Sequence, residues 1–253
     1  MIVPDLPNVS AIAFYGEKPP QLKTLIETLQ AYLSNCESVQ SRFIPYQLAQ
    51  VHGTIIGCEG LATDAGIVNK WFWELRNEIR YIDLTGLVDY LQHQVSPITI
   101  RLGGYQRDRD YQFLSRQQSL YFRSFQLQPA ADGIIPVLIG WSGNENRITW
   151  DIDNLRRSLQ QFNILHKYHG NPQAVDNDFY LRLGTISGEI SPQTQQAIAT
   201  EVRDFLETQP PLYLPLQSKN LAVVQYQDLA VDPSTTKIMS IVDLTAERLR
   251  QMY

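Results

Sequence analysis

A histidine and a threonine stand two residues apart in a short run of β-forming residues, 50–57. Alternate residues of a strand point to the same side, so His52 and Thr54 are expected to share one face. An imidazole exchanges a proton near neutral pH, and a hydroxyl group donates to or accepts from a phosphate oxygen. The pair therefore indicates the beginning of a phosphoester site, although this spacing also arises by chance on ordinary strands.

A second strand-like run, 179–184, has a tyrosine and an arginine at the same spacing. Tyr180 and Arg182 are expected on one face, with the apolar residues Phe179, Leu181 and Leu183 on the other. An arginine among apolar neighbours is unusual unless it is exposed or paired. A shared cleft with His52 would give its charge a role, because a guanidinium binds phosphate oxygens through two parallel hydrogen bonds.

The elements that must position these strands follow from hydrophobic spacing and from Pro, Gly and Ser signals. We expect strands at 10–15, 50–57, 97–103, 120–128, 134–141, 179–184, 212–216 and 221–226. We expect helices at 19–33, 64–80, 84–94, 151–162, 191–208 and 245–253.

The chain also contains two strand–helix–strand units in the same order. When His52 is laid on Tyr180, Ala11 falls on Ile139, inside the leading strand of the second unit. The pattern repeats although the residues do not. It predicts two lobes that are related by a pseudo-twofold axis, with the two polar strands side by side or facing each other in a central cleft.

This order of elements resembles the two-histidine phosphoesterase superfamily, the LigT-like and cyclic phosphodiesterase-like proteins, over roughly residues 10 to 230. The resemblance rests on five strand-like segments: 11–15, 51–55 with its His52-x-Thr54 motif, 98–103, 137–140 and 221–226. It implies an α+β fold of two βαβ lobes around a central cleft. The whole chain, 1–253, would then be one domain, with one lobe at about 10–60 plus the late strands and the other at about 134–210 plus the middle strands.

The resemblance further implies action on 2′,3′-cyclic phosphates, 2′–5′ linkages or RNA ends, with no metal and no cofactor. Members of the family have a second His-x-Thr/Ser motif. Here that position reads Tyr180-Leu181-Arg182, or Asn220-Leu221-Ala222 in a competing alignment, and neither contains a histidine.

Phosphoester cleavage needs a base, an acid and donors for the developing charge. We assign the base to His52 and the acid to Tyr180, whose ordinary pKa near ~10 makes it a poor base. Thr54 and Arg182 would bind the phosphate, and Arg101, on the strand at 98–103, would help to bind the substrate. The function predicted is a metal-independent phosphoesterase for a small nucleotide, cyclic phosphate or RNA end. The alternatives are an inactive relative that binds a phosphate-containing ligand, and a scaffold with a vestigial cleft.

Other candidate groups carry less weight. His166 and His169 lie three residues apart, but no Cys, Asp or Glu stands at a convincing ligand spacing, so no metal site is predicted. Asp176 and Asp178 are interpreted as turn residues. Cys36 and Cys58 are interpreted as small buried hydrophobic residues.

Composition narrows the class of protein. The 253 residues are 43% hydrophobic and 19% charged, which is an ordinary globular balance. A formal net charge of −5 argues against an extended nucleic-acid-binding surface. The sequence has no secretory signal at Met1–Asp5, no apolar run long enough for the membrane, no phosphate loop and no dinucleotide fingerprint. We therefore expect a soluble, cytoplasmic protein.

Overall fold

The chain forms a mixed α/β structure in which short strands build one large antiparallel sheet. The structure is a computed structural model, and it describes residues 8–131 and 133–253. The segment Met1–Asp5, on which the expectation about a secretory signal depends, lies outside the described residues.

The described residues contain thirteen strands and seven α-helices. The strands are β1 Asn8–Ala13, β2 Phe43–Pro45, β3 Gly53–Gly57, β4 Gly60–Thr63, β5 Gly66–Asn69, β6 Ile98–Leu102, β7 Phe125–Ala130, β8 Gly133–Ser142, β9 Asp178–Arg182, β10 Gly184–Ser187, β11 Leu212–Leu216, β12 Leu221–Tyr226 and β13 Lys237–Ser240. The helices are α1 Pro20–Asn35, α2 Lys70–Arg76, α3 Leu84–Asp89, α4 Leu120–Arg123, α5 Asp151–Ser158, α6 Pro192–Thr208 and α7 Ala246–Arg250. Among the described residues, no helix combines the length and the apolar character that crossing a membrane requires.

Eleven of the described strands form the main sheet. Eight of them follow the path β11-β6-β8-β9-β3-β1-β12-β13, while β7 and β10 pair with β8 off this path, and β2 pairs with β10. All the pairings are antiparallel, and β4 and β5 form a separate hairpin. At the centre, β3 and β9 pair through a single register position, Gly53 opposite Leu181. The two polar strands found in the sequence are therefore neighbours in the sheet.

The alternation expected along these strands is present. On β9, Phe179 and Leu181 are fully buried, whereas Tyr180 and Arg182 are only half-buried. On β3, Ile55 is buried and Thr54 is exposed. On these two strands one face thus packs into the hydrophobic core, and the other keeps Thr54, Tyr180 and Arg182 accessible.

Helix signals in the sequence place the long helices well. In α1, a stripe of buried residues faces the core, as its spacing predicts: Leu22, Ile26, Leu29 and Leu33. Helix α6 begins at the predicted cap, where Ser191 Oγ accepts the Thr194 N–H at 3.1 Å and Pro192 occupies the first turn.

Two predicted elements are wrong. The expected helix at 64–80 is a strand, β5, followed by the short helix α2, which begins where Asn69 Oδ1 accepts the Phe72 N–H at 3.0 Å. The hairpin with β4 uses the β-branched pair Ile67 and Val68, whose spacing also fits a helix. The expected strand at 120–128 begins as helix α4 and becomes extended only at Phe125.

Candidate functional site

His52 lies directly before β3 and is only 9% exposed. Its Nδ1 is 2.6 Å from the carbonyl oxygen of Gln50, which only accepts, so Nδ1 carries the proton and Nε2 keeps a free lone pair. Burial lowers the pKa of His52 to about 4 against the opposing effect of the Gln50 hydrogen bond, and the charges of Arg182 and Lys18 lower it further. The imidazole is therefore neutral at pH 7 and can accept a proton or a hydrogen bond.

Thr54 projects from β3 on the accessible face of the sheet. Its hydroxyl makes no hydrogen bond to any described residue, while its carbonyl oxygen accepts Nη2 of Arg156 at 3.1 Å. The hydroxyl is therefore open to a ligand.

Tyr180 and Arg182, the two polar residues of β9, differ in the hydrogen bonds that they make within the protein. The Tyr180 hydroxyl accepts Arg123 Nη2 at 2.7 Å and donates to Asp178 Oδ2 at 2.9 Å. Burial, then the charge of Asp178, raises the pKa of Tyr180. Arg182 has one long contact, from Nη1 to the Leu229 carbonyl oxygen at 3.3 Å. The phenol is thus already engaged, whereas the guanidinium is largely free.

His52, Thr54, Tyr180 and Arg182 line one cavity of about 190 Å³. Further charged or titratable groups line the same cavity: Glu59, Arg116, Arg156, His166, Lys167 and Asp176. The structure therefore brings four of the five residues predicted as site residues into one neighbourhood and adds groups that the sequence analysis did not select.

Arg101 does not join them. It is 3% exposed, its Nη2 donates to the Gly104 carbonyl oxygen at 2.5 Å, and its guanidinium lies 4.6 Å from the ring of Tyr105 and 5.3 Å from that of Tyr111. Strand β6 is separated from β9 by β8, so Arg101 packs into a second aromatic cluster outside the cavity. The structure therefore does not bring Arg101 to the cavity that the other four residues line.

Arg156, on α5, joins the two central strands where they diverge. Its Nε donates to the Ile55 carbonyl oxygen at 2.7 Å, and its Nη1 donates to that of Asp176 at 2.7 Å. Its Nη2 reaches the carbonyl oxygens of Thr54 and Asp178, each at 3.1 Å. One buried guanidinium thus supplies hydrogen bonds that β3 and β9 do not make to each other beyond their single register pair.

Asp176 and Asp178 are not turn residues at the surface but buried carboxylates. Asp176 Oδ2 lies 3.2 Å from Arg156 Nη1 and 2.7 Å from His166 Nε2. Asp178 accepts Trp141 Nε1 at 2.6 Å. Although burial opposes ionisation, the charge of Arg156 and the bond from His166 hold the pKa of Asp176 well below its usual range.

His166 and His169 each bond a carboxylate through Nε2, Asp176 at 2.7 Å and Asp153 at 2.9 Å. Burial lowers the pKa of His166 to about 4, so it too is neutral at pH 7. Within the part of the chain that the structure describes, no three His, Cys, Asp or Glu side chains are grouped so as to hold a metal ion.

Sequence reasoning missed Arg156, His166 and Asp176 as parts of the cavity. A signal for Arg156 was present, because it lies four residues after Ile152 and three before Leu159, on the apolar face of the predicted helix. A charged residue on that face requires a buried partner. No local signal predicted that His166 would reach the same cavity.

The comparisons with known proteins add little to this geometry. No protein-family model matches the chain, and no curated protein matches it. The crystal structure of TT0787 of Thermus thermophilus is 11% identical and covers 92% of this chain and 93% of that chain, with a TM-score of 0.42. A likeness at this level transfers neither fold nor function to this chain.

Proposed function

We propose that the cavity binds a small phosphate ester, such as a nucleotide or an RNA end. One observation carries the proposal: the hydroxyl of Thr54 and the guanidinium of Arg182 line the same cavity as the neutral imidazole of His52. A guanidinium is a planar, two-pronged donor for phosphate oxygens, and a free hydroxyl donates to another oxygen. Groups from two strands would thus bind one anion.

The state of Arg182 supports this assignment. It is half-buried, and within the described residues it makes no ion pair with a carboxylate. Arg116, Arg123 and Arg156 all have such partners. A partly desolvated charge without a counter-ion is costly unless a ligand supplies one.

For the fold, we propose the bilobal arrangement of the two-histidine phosphoesterases in a single domain. In each half, the central strand pairs with a strand that precedes it in the chain, β3 with β1 and β9 with β8. The next strand outward is β12 beside β1 and β6 beside β8. Helix α1 connects the first pair and α5 lies between the strands of the second. This order reads the same outward from the β3–β9 junction in both directions.

The register supports a pseudo-twofold axis at that junction. Because Gly53 faces Leu181, the proposed axis exchanges His52 with Tyr180 and Thr54 with Arg182. The leading strands follow a different offset, since Ala13 pairs with Gly53 whereas Leu138 pairs with Leu181. Under this symmetry Ala13 corresponds to Leu138. The sequence alignment placed Ala11 on Ile139, so for the leading strands it differs from this correspondence by three residues.

Metal-independent hydrolysis of a cyclic phosphate is the second candidate function, and the free Nε2 of His52 favours it. In this reaction a water oxygen forms the new bond to phosphorus while Nε2 takes its proton. The bond from phosphorus to the sugar oxygen breaks, and that oxygen receives a proton from Tyr180. For this step the Tyr180 hydroxyl must first break its hydrogen bond to Asp178. The geometry therefore supports ligand binding more directly than turnover.

The test measures binding and turnover separately. We expect titration calorimetry to show binding of adenosine monophosphates or their 2′,3′-cyclic forms, and Arg182→Gln to weaken it about ten- to hundredfold because charged hydrogen bonds are lost. Arg147→Gln, at an exposed position outside the cavity, is the matched control. If no nucleotide or inorganic phosphate binds, the cavity is vestigial and the proposal fails.

Turnover is followed on 2′,3′-cyclic nucleotides with and without a chelator. If the protein hydrolyses them, His52→Ala is expected to lower the rate by about 10²- to 10⁴-fold while binding persists, and the chelator should change nothing. Binding without turnover would support the ligand-binding function and rule out hydrolysis of cyclic phosphates.

A further inference from the structure

The cavity has more positive than negative charge. Among the described residues, four cationic side chains line it: Arg116, Arg156, Lys167 and Arg182. Two carboxylates oppose them, Glu59 and Asp176. The two imidazoles are neutral at pH 7, because burial lowers the pKa of His52 and of His166 to about 4. The lining therefore has an excess of two positive charges.

The distribution of ion pairs shows where this excess lies. Arg156 is balanced by Asp176 at 3.2 Å. Asp178, beside the cavity, is already bound by Arg123 at 2.9 Å and is only 3.5 Å from Arg116 Nε. Two carboxylates thus serve three guanidinium groups, and the charge of Arg116 is only partly compensated.

Arg182 and Lys167 each add a positive charge to the cavity lining, and neither forms an ion pair with a carboxylate in the described part of the chain. Lys167 Nζ lies 4.9 Å from the ring centroid of Tyr168 and makes no ion pair there. Arg116 also lies over the Tyr168 ring, at 5.0 Å, and over the Tyr180 ring, at 5.8 Å. The uncompensated cations therefore border the part of the cavity next to Tyr180 and Arg182.

Glu59 lies two residues beyond β3, and its carboxylate folds back towards Gly57, which also lines the cavity. Its Oε2 accepts Trp71 Nε1 at 2.8 Å, while Oε1 has no hydrogen bond to a described residue. A carboxylate repels a phosphate and accepts hydrogen bonds, so the phosphate belongs near Arg182 and a donor group of the ligand near Glu59.

We propose that the cavity selects a dianionic phosphate monoester over a monoanionic phosphodiester or cyclic phosphate. This inference rests on the proposed function and names its ligand class. A phosphate monoester has a charge of about −1.5 to −2 at pH 7, which matches the excess of the lining. A diester has one negative charge and compensates one cation fewer; among these cations Arg182 is half-buried, whereas Arg116 and Lys167 are exposed.

The experiment compares adenosine 2′-, 3′- and 5′-monophosphate with the 2′,3′- and 3′,5′-cyclic monophosphates by titration calorimetry on the intact chain at pH 7.5. These ligands share base and sugar and differ in phosphate charge. The best monoester is expected to bind about tenfold or more tightly than the best cyclic ester. Equal or tighter binding of the cyclic esters would overturn the inference but not the proposed function, and absence of all binding would overturn both.

The pH dependence adds an internal control. Between pH 7.5 and 5 a monoester dianion gains one proton, with a pKa of about 6, and becomes a monoanion, whereas a cyclic ester keeps its single charge. The monoester preference is therefore expected to shrink as the pH falls, and the affinity of the cyclic ester to stay nearly constant. A preference that persists undiminished at pH 5 contradicts a charge-based selection.

Two substitutions should act in opposite directions. Arg116→Gln removes one cation, and the monoester preference is expected to fall several-fold. Glu59→Gln removes one carboxylate, and monoester affinity is expected to rise. Arg147→Gln serves again as the control, and equal effects of all three variants on both ligand classes would refute the charge argument.

Discussion

At the scale of single residues, two imidazoles line one cavity and both are held neutral by burial. His52 donates Nδ1–H to a carbonyl oxygen, and His166 donates Nε2–H to Asp176. Desolvation is the largest influence on each, and it exceeds the hydrogen bonds that favour protonation. The neutral state makes both rings acceptors at physiological pH and leaves the positive charge of the site to arginine and lysine.

This protonation state predicts a dependence of stability on pH. The folded pKa of about 4 for His52 and for His166 lies below the ordinary value of 6.5 in the unfolded chain. The unfolded state therefore binds more protons in this window, and stability that is complete above pH 6.5 is lost as the pH falls towards 4. We expect the free energy of unfolding to fall by about 2 kcal/mol per imidazole between pH 7 and pH 5.

Urea unfolding at several pH values measures this effect. His52→Asn should remove the contribution of this imidazole, about 2 kcal/mol, from the change in the free energy of unfolding between pH 7 and pH 5. His93→Asn is the control, because His93 is exposed on the surface and paired only with Asp89. An unchanged slope in the His52 variant would show that the imidazole is not held neutral by the fold.

At the scale of elements, the contact between β3 and β9 depends on a side chain from a helix. The strands share one register pair, and Arg156 bonds carbonyl oxygens on both sides of the opening that follows. The arginine therefore bridges β3 and β9 where they no longer pair with each other, and it fixes the separation of the strands that bear Thr54 and Tyr180. Short strands that diverge by themselves would leave buried carbonyl groups unpaired.

Removal of this guanidinium should be strongly destabilising. Arg156→Met leaves the buried Asp176 carboxylate and several carbonyl oxygens without their partner, and we expect a loss of about 3–5 kcal/mol in the free energy of unfolding. Arg248→Met, on α7, is the control, because its guanidinium makes one exposed contact, to the Asp243 carbonyl oxygen. A loss below about 1 kcal/mol in urea unfolding would rule out this role.

The elements also show how far local patterns reach. The helices α1, α5 and α6 were predictable because apolar residues at helical spacing continue over two or more turns between clear start and stop signals. The segment 64–80 was not, because its apolar residues fit either period and pairing with β4 decides between them. Leu75 and Ile79, two of the apolar residues in this segment, are 43% and 70% exposed.

At the scale of the whole molecule, one continuous hydrophobic core extends through both halves of the chain. It includes Val9 and Ile56 from the first half, Leu138 and Leu181 from the second, and Met252 at the C-terminal end. The proposed lobes would therefore share their core across the β3–β9 junction. Shared burial of this kind favours a single cooperative unfolding transition.

Hydrogen exchange with mass spectrometry tests this expectation. Amides of β1 and β12 and amides of β6 and β8 should lose protection at the same urea concentration, because neither half retains its core alone. The separate β4–β5 hairpin should exchange earlier. Two distinct transitions for the two strand groups would instead indicate two independently stable domains.

The sequence by itself determined which side chains leave the sheet on its polar face. Strand alternation placed Thr54 opposite the core on one strand and Tyr180 with Arg182 on another, because a period of two is a local property of extended chain. The repeated order of elements also predicted that these strands would meet. Neither inference needed a contact between distant residues.

Only the tertiary structure decided what surrounds them. Arg116, Arg156, His166 and Asp176 reach the cavity from a loop, a helix and the segment before β9, and Arg101 is turned into a different cluster. Charge pairing and burial at these positions depend on the packing of segments far apart in the chain, and hydrophobic periodicity contains no information about which distant carboxylate a buried guanidinium will find.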